Sequence, residues 1–321
     1  MAIKPRKSRT RYREIAFGIF LVCAAGTFAT ALGCPDWDAT FRGSLVVAIV
    51  SQKGSYVVVA ADSREVDESD RPIDDESCKV IALGGDTLFF ETGTPLIIVR
   101  RGKSWNAQDV ARAVYRESNK RDARNLSIAW GDRALSWFDA QSEADLKSVS
   151  EARGGIITGG FVNFKEGRNP SIQTQEITFS ARNHTLTRGL ASEPPALGQV
   201  MFSGVGKNLI EEFFAGKTRR AIRAFSSVET LHRVGVNSQV DAKLARKAIQ
   251  FAIANETGKD KNTIGGPIDV AILRKNGTIE WVSRKRACYA LDEAAVRRCD
   301  SGILQSFTSC GEQKKTPEAA L

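Results

Sequence analysis

Gly43-Ser44-Leu45-Val46-Val47-Ala48-Ile49-Val50, then Gln52-Lys53-Gly54-Ser55, then Tyr56-Val57-Val58-Val59-Ala60-Ala61-Asp62-Ser63-Arg64, is the stretch on which the fold turns. Two β-branched apolar runs flank a short polar segment containing glycine, which predicts a β-hairpin over 44–65. Moving outward, residues 66–77 are acidic and contain proline, and they predict a loop. Strands follow at 79–84, where Val80-Ile81-Ala82-Leu83 comes directly after Lys79, and at 87–92, where Leu88-Phe89-Phe90 runs into Glu91-Thr92-Gly93. Asn106 to Asn119 predicts a helix with Asn106 as N-cap, because Val110, Val114 and Tyr115 share one face. A second helical pattern runs from Ala123 to Leu146, with Gly131 inside it. Gly155–Phe164 and Thr174–Ser180 alternate like paired strands, and Val200-Met201-Phe202 is a short strand. Helices are expected at Lys207–Ala215, Ser227–Val234 and Val240–Thr257. Strands at 267–274 and 278–283 close the pattern, joined by the hairpin turn Asn276-Gly277. Strands, helices, strands, helices, strands in that order are neither βαβ alternation nor all-β. They suit an α+β fold in which two sheets face each other with helices outside each, a four-layer αββα sandwich.

The ends differ from this body. Residues 1–14 concentrate six basic side chains against Glu14, and Ile15 to Gly33 carries no charge over 19 residues. This reads as an export signal, with Ala29-Thr30-Ala31 suiting a small-residue cleavage site. The apolar run is also long enough to stay as a membrane anchor, and Ala31-Leu32-Gly33-Cys34 loosely resembles a lipidation site. The expected location is therefore exported: periplasmic, extracellular or membrane-anchored. Residues 34–43 read as a polar linker or propeptide, 44–283 as one domain and 284–321 as a Cys-containing extension. The formal charge of +9 falls to +4 over residues 34–321, with 40 basic against 36 acidic side chains. Without a basic stripe interleaved with aromatics, this argues against nucleic acid as a partner. Cys78, Cys288, Cys299 and Cys310 suit an oxidising compartment, and bridging is expected among the three in the last 34 residues. The chain has no C-x-x-C and only His184 and His232, so neither a metal site nor a Ser-His-Asp triad is expected, and no cofactor is implied. His184 reads as a turn residue and His232 as an exposed helix residue. Gly204-Val205-Gly206-Lys207 lacks the Ser or Thr and the glycine spacing of a P-loop.

Ser44, the Ala60-Ala61-Asp62-Ser63-Arg64 run, Lys79, Gly93 and the late Gly265-Gly266-Pro267-Ile268-Asp269-Val270-Ala271 strand occur in the order found in proteasome β-type subunits. Phe202-Ser203-Gly204-Val205-Gly206 adds a glycine turn that opens a helix. Over residues 43–282 the chain resembles that family of N-terminal-nucleophile hydrolases, whose chain is cut after a glycine to free a nucleophile that is also the N-terminus. The resemblance implies Ser44 as nucleophile, Lys79 as the charge beside it, Asp62 as the group holding that lysine, and the Gly93 N–H in the oxyanion hole. Arg64 would be structural, paired with an acidic neighbour. It further implies a peptide or amide substrate and a homo-oligomer.

A serine hydroxyl needs a base, and an α-amine of ordinary pKa near 8 supplies one if the Gly43–Ser44 bond is broken. The sequence also departs from the family pattern. Serine replaces threonine at the nucleophile, and the hairpin is longer by two residues. Valine stands at 205 where the glycine turn carries a serine, and Asp260 is one residue out of step with the family's late aspartate, leaving Lys261 in step. These departures keep open a non-catalytic structural or assembly role for the same fold.

Overall fold

The computed structural model of the chain describes residues 37–42, 44–66, 72–99, 105–140, 156–164, 169–180, 185–189, 196–226, 234–257 and 262–289. The described residues form fourteen strands: β1 (Trp37–Arg42), β2 (Leu45–Val50), β3 (Tyr56–Ala61), β4 (Glu65–Val66), β5 (Pro72–Asp74), β6 (Val80–Leu83), β7 (Thr87–Val99), β8 (Trp105–Asn106), β9 (Ile156–Phe164), β10 (Pro170–Ser180), β11 (Thr185–Arg188), β12 (Val200–Gly204), β13 (Asp269–Arg274) and β14 (Ile279–Ser283). The assigned helices are α1 (Ala107–Glu117), α2 (Ala123–Asp139), α3 (Lys207–Ala215), α4 (Arg219–Ser226) and α5 (Ser238–Asn255).

The predicted hairpin is β2 and β3, paired antiparallel with Val46 opposite Ala61 and Val50 opposite Val57. Every residue of both strands is buried, as a near-continuous apolar run requires when both faces of a sheet are covered. Successive side chains leave opposite faces, so the two strands feed two cores. Leu45, Val47, Ile49, Val58 and Ala60 pack with Ile210, Phe213, Ile249 and Ala252 of α3 and α5. Val46, Ala48, Val57 and Val59 pack instead with Val80, Leu88, Phe90 and Val162 of the other sheet. A third core joins Ile81, Phe89, Phe161 and Ile177 to Trp105 and to Trp130 and Phe138 of α2.

The chain is thus α+β with two antiparallel sheets. One has the order β12-β2-β3-β13-β14. The other runs β11-β10-β9-β7-β1-β4-β5, with β6 and β8 also paired to β7. Asn106 caps α1, its side chain accepting from Gln108 N and Asp109 N. The turn at Asn276-Gly277 closes β13 on β14, with Gly277 at φ +84°.

Several expectations are corrected. Residues 37–42 are not a connector but a strand, pairing with β7 from Trp37–Val99 to Arg42–Gly93. The alternation in Trp37-Asp38-Ala39-Thr40-Phe41-Arg42 carried that signal. The loop at 66–77 contains part of a short ladder, β4 with β5. Strand β7 runs on to Val99, six residues past Gly93. Helix α2 ends at Asp139 and passes through Gly131 without a break; a Cβ there would meet the Arg188 guanidinium at 3.0 Å. Helix α4 was not expected, and residues 227–233, with His232, lie outside the described residues, as does His184.

The described disulfide does not close within the tail. It joins Cys288 to Cys78, 210 residues apart. Cys299, Cys310 and the whole of residues 1–36, with Cys34, lie outside the described residues. No described helix is long and apolar enough to cross a membrane.

Candidate active site

The β2–β3 register places Asp62, the residue after β3, opposite Leu45, the residue after Ser44. The two exchange bonds: Asp62 N donates to Leu45 O at 3.2 Å, and Leu45 N donates to Asp62 Oδ1 at 2.8 Å. Lys79 enters from the residue before β6. Its Nζ lies 2.9 Å from Asp62 Oδ1 and donates to Arg64 O at 2.7 Å. Both side chains of this pair are fully buried.

Taking two charges out of water costs several kcal/mol per ion, and only close geometry with further hydrogen bonds offsets it. Asp62 meets that condition. Its second oxygen accepts from Gly265 N at 3.0 Å and Arg64 N at 3.3 Å. With four donors on its two oxygens, Asp62 is occupied as an acceptor. It can hold Lys79 and the backbone behind Ser44, but it is poorly placed to take a proton from Ser44.

Ser44 itself is buried, 1% exposed. Its carbonyl accepts from Val205 N at 2.9 Å. Gly204 makes this approach possible: it sits at φ +104°, and a Cβ there would fall 1.8 Å from Ser44 O. The residue at 205 therefore contributes a backbone N–H to Ser44, not a hydroxyl. A hydroxyl pair spans the two sheets, with Thr92 Oγ1 of β7 and Ser203 Oγ of β12 3.1 Å apart.

Gly93 has φ +91°, a left-handed backbone that glycine adopts without strain. It pairs with Ile157 of β9 and with Arg42 of β1. Two Cα–Cα steps, at most about 7.6 Å, separate Arg42 from Ser44. The strand that precedes the expected scission thus ends its ladder at the expected oxyanion glycine, and Ser44 is tethered beside it. Gly43 lies outside the described residues, as do Asp260 and Lys261. Asp62 and Lys79 are therefore joined directly, Ser44 is held next to them through the Leu45–Asp62 bonds, and Gly93 is linked to Ser44 only by chain connectivity.

Arg64 is structural in this geometry, as expected. Its Nε and Nη2 reach Asp75 Oδ1 and Oδ2 at 2.7 and 3.0 Å. The hydrogen bond to Asp75 raises the Arg64 pKa and, reciprocally, lowers that of Asp75. A Cβ at Gly265 would lie 2.5 Å from Arg64 Cζ, so a larger residue there would displace the guanidinium that holds Asp75.

Three supports escaped the sequence reading. Glu256 accepts from Asn262 N, Thr263 Oγ1 and Ile264 N at 3.0, 2.6 and 3.1 Å, and so shapes the turn that delivers Gly265 N to Asp62. Burial raises its pKa. Gln108 of α1 donates through Nε2 to Glu91 Oε1 at 2.9 Å and to Cys78 O, fixing the residue before Lys79. Asp269 forms a second buried ion pair with Lys285, at 2.6 Å. Only Asp269 had a sequence signal, its place in the Gly265–Ala271 run, and that run said nothing of its partner.

Among the described residues no cluster of three His, Cys, Asp or Glu side chains could hold a metal ion. No protein-family model matches the chain, and no characterised protein matches it in sequence.

Proposed function

We propose that the chain is an exported, self-processing hydrolase of the N-terminal-nucleophile type. The two sheets and their covering helices are read as a four-layer αββα sandwich resembling a proteasome β-type subunit. The observation that carries this reading is the buried Lys79–Asp62 pair, whose carboxylate also holds the Leu45 N–H directly behind Ser44.

In the precursor the Ser44 Oγ attacks the Gly43 carbonyl. The C–N bond breaks, the acyl group passes to oxygen as an ester, and water hydrolyses that ester to leave the Gly43 carboxylate and a free Ser44 α-amine. In the mature chain that amine takes the hydroxyl proton as Oγ attacks a peptide or amide carbonyl. The ammonium of Lys79 keeps positive charge beside the site and favours the neutral amine and the developing oxyanion. The Gly93 N–H donates to that oxyanion, a contribution of roughly 3–4 kcal/mol where such a donor has been removed elsewhere. The leaving amine departs with the proton, and water releases the acyl group from Oγ. By the same resemblance the chain self-associates, which light scattering tests; a monomer alone would contradict it.

N-terminal sequencing with intact-mass analysis of the purified protein decides the reading. Ser44 is the expected first residue of the mature species, and a hydrolytically active chain that retains Gly43 would defeat it. A second reading, a non-catalytic structural member of the same fold, is favoured by Val205, which offers Ser44 an N–H where a serine hydroxyl is expected. Covalent labelling of Ser44 by a β-lactone would contradict that alternative.

A further inference from the structure

A cavity of about 670 Å³ opens between α5, the turn at 266–268 and the segment after β14. It does not include Ser44. Its lining carries four cations, Arg246, Arg284, Lys285 and Arg286, against two carboxylates, Glu76 and Asp269. One carboxylate and one cation of this lining neutralise each other, which leaves three arginines against Glu76. Asp269 is committed to Lys285, accepting from its Nζ at 2.6 Å and its backbone N at 3.0 Å. Glu76 is an exposed rim residue. Arg246 and Arg286 have no ion-pair partner among the described residues. They stand on different elements, one on α5 and one beyond β14, so a ligand that satisfies both must sit between them. Ile253, Pro267 and Ile268 supply an apolar wall beside these cations.

We infer that this cavity is a binding site for a small organic oxyanion, a carboxylate or phosphate ester carried on a compact apolar body. Guanidinium groups match both oxyanions, with two parallel N–H donors and a planar face. The apolar wall selects for the body and disfavours a bare, strongly hydrated anion.

The site is also built into the supports of the Ser44 region. The neighbouring turn presents Gly265 N to Asp62, and Ser63 Oγ donates to Pro267 O on that turn. On the other wall, Arg284 donates to Val80 O at 2.9 Å and to Cys288 O at 3.1 Å, while Cys288 is bridged to Cys78, the residue before Lys79. A ligand spanning Arg246 and Arg286 therefore braces α5 against the segment after β14, beside the turn that presents Gly265 N to Asp62.

Calorimetric titration of the purified full chain with phenyl phosphate, benzoate and benzamide tests the site without requiring turnover. Its result is thus separable from the processing reading. Saturable one-site binding of phenyl phosphate or benzoate is expected, with the tighter of the two identifying the oxyanion class. Benzamide, the same body without charge, is expected not to bind. Arg286→Gln, at an exposed position, weakens binding several-fold, and Arg246→Gln with Arg286→Gln weakens it about tenfold or more. The inference is overturned if neither anion saturates, if benzamide binds as well as benzoate, or if Arg286→Gln with unchanged thermal stability binds like the parent.

Discussion

The fold buries two aspartate–lysine pairs almost side by side, and they have different consequences. Asp269 of β13 pairs in register with Ala61, the residue before Asp62, so the two carboxylates stand at adjacent positions at the end of the β3–β13 ladder. Both pairs are withdrawn from water, with side chains 0% exposed for Lys79 and Asp62 and at most 3% for Lys285 and Asp269. Asp62 spends its remaining capacity on Leu45, Arg64 and Gly265, the backbone around Ser44. Asp269 spends it on Lys285 N, which docks the segment after β14. Burial of an ion pair is thus no signature of chemistry by itself. What separates the two is the backbone that each carboxylate reaches. The pairs are also joined, because the disulfide links Cys78, next to Lys79, with Cys288, three residues after Lys285.

The sharpest way to break this comparison is to remove one lysine at a time. Either change leaves a carboxylate buried and unpaired, so Lys79→Ala and Lys285→Ala each cost about 3–5 kcal/mol in urea unfolding. Under the proposed function their chemistry then diverges. Lys79→Ala is expected to slow Ser44 processing by roughly 10²-fold or more, read by intact mass over time, whereas folded Lys285→Ala is expected to process like the parent. Removing both charges separates stability from function again. Asp269→Leu with Lys285→Met comes out near neutral in stability and still processes. Asp62→Leu with Lys79→Met recovers much of the lost stability but does not process. Normal processing in Lys79→Ala, or none in well-folded Lys285→Ala, would erase the distinction.

How far the sequence foretold these two regions follows from what each is made of. The Ser44 side was legible because it lies in one hairpin and the strand after it: apolar runs, a glycine turn and polar residues at their ends. The register of β2 on β3 then brings Asp62 to Leu45 without any long-range information. The Asp269 side was not legible, because Lys285 approaches only when the chain folds back after β14, and nothing local marks that lysine as buried. The disulfide failed for the same reason. Three cysteines crowded near the C-terminus suggested a local bridge, but Cys288 is carried against Cys78 by the packing of β14 and its exit. Strand β1 was missed differently: its alternation was present, but its polar content was read as a linker, and only the ladder with β7 reveals its use.

The link between the two pairs gives the next largest effect. A bridge spanning 210 residues constrains the unfolded chain strongly, and native disulfides commonly contribute about 2–5 kcal/mol. Cys78→Ala with Cys288→Ala, or reduction of the parent, is expected to lower stability within that range. It should also loosen the segment at 284–288 before it loosens the Asp62 loop, because Gln108 still holds Cys78 O and Leu45 still holds Asp62. Hydrogen exchange after reduction measures the order. Earlier exchange at Leu45 than at Lys285 would mean that the bridge supports the Ser44 side directly.

The smallest effect calibrates the other two. Arg64 and Asp75 form a bidentate pair of the same chemical kind within the same network, but the Asp75 side chain is 42% exposed. Solvent screens such a pair, so Asp75→Asn is expected to cost about 0.5 kcal/mol or less near pH 7. The pH dependence has a definite sign. The hydrogen bond from Arg64 lowers the Asp75 pKa below its ordinary 3.8 in the folded protein. The unfolded chain therefore takes up this proton first as pH falls. The pair's contribution is complete above the ordinary value and is lost as pH drops through the lowered one. The stability difference between parent and Asp75→Asn should accordingly shrink on acidification and also narrow with added salt. A difference of several kcal/mol that persists in high salt would place Asp75 among the buried pairs, and exposure would then fail as the property that separates Arg64–Asp75 from Lys79–Asp62.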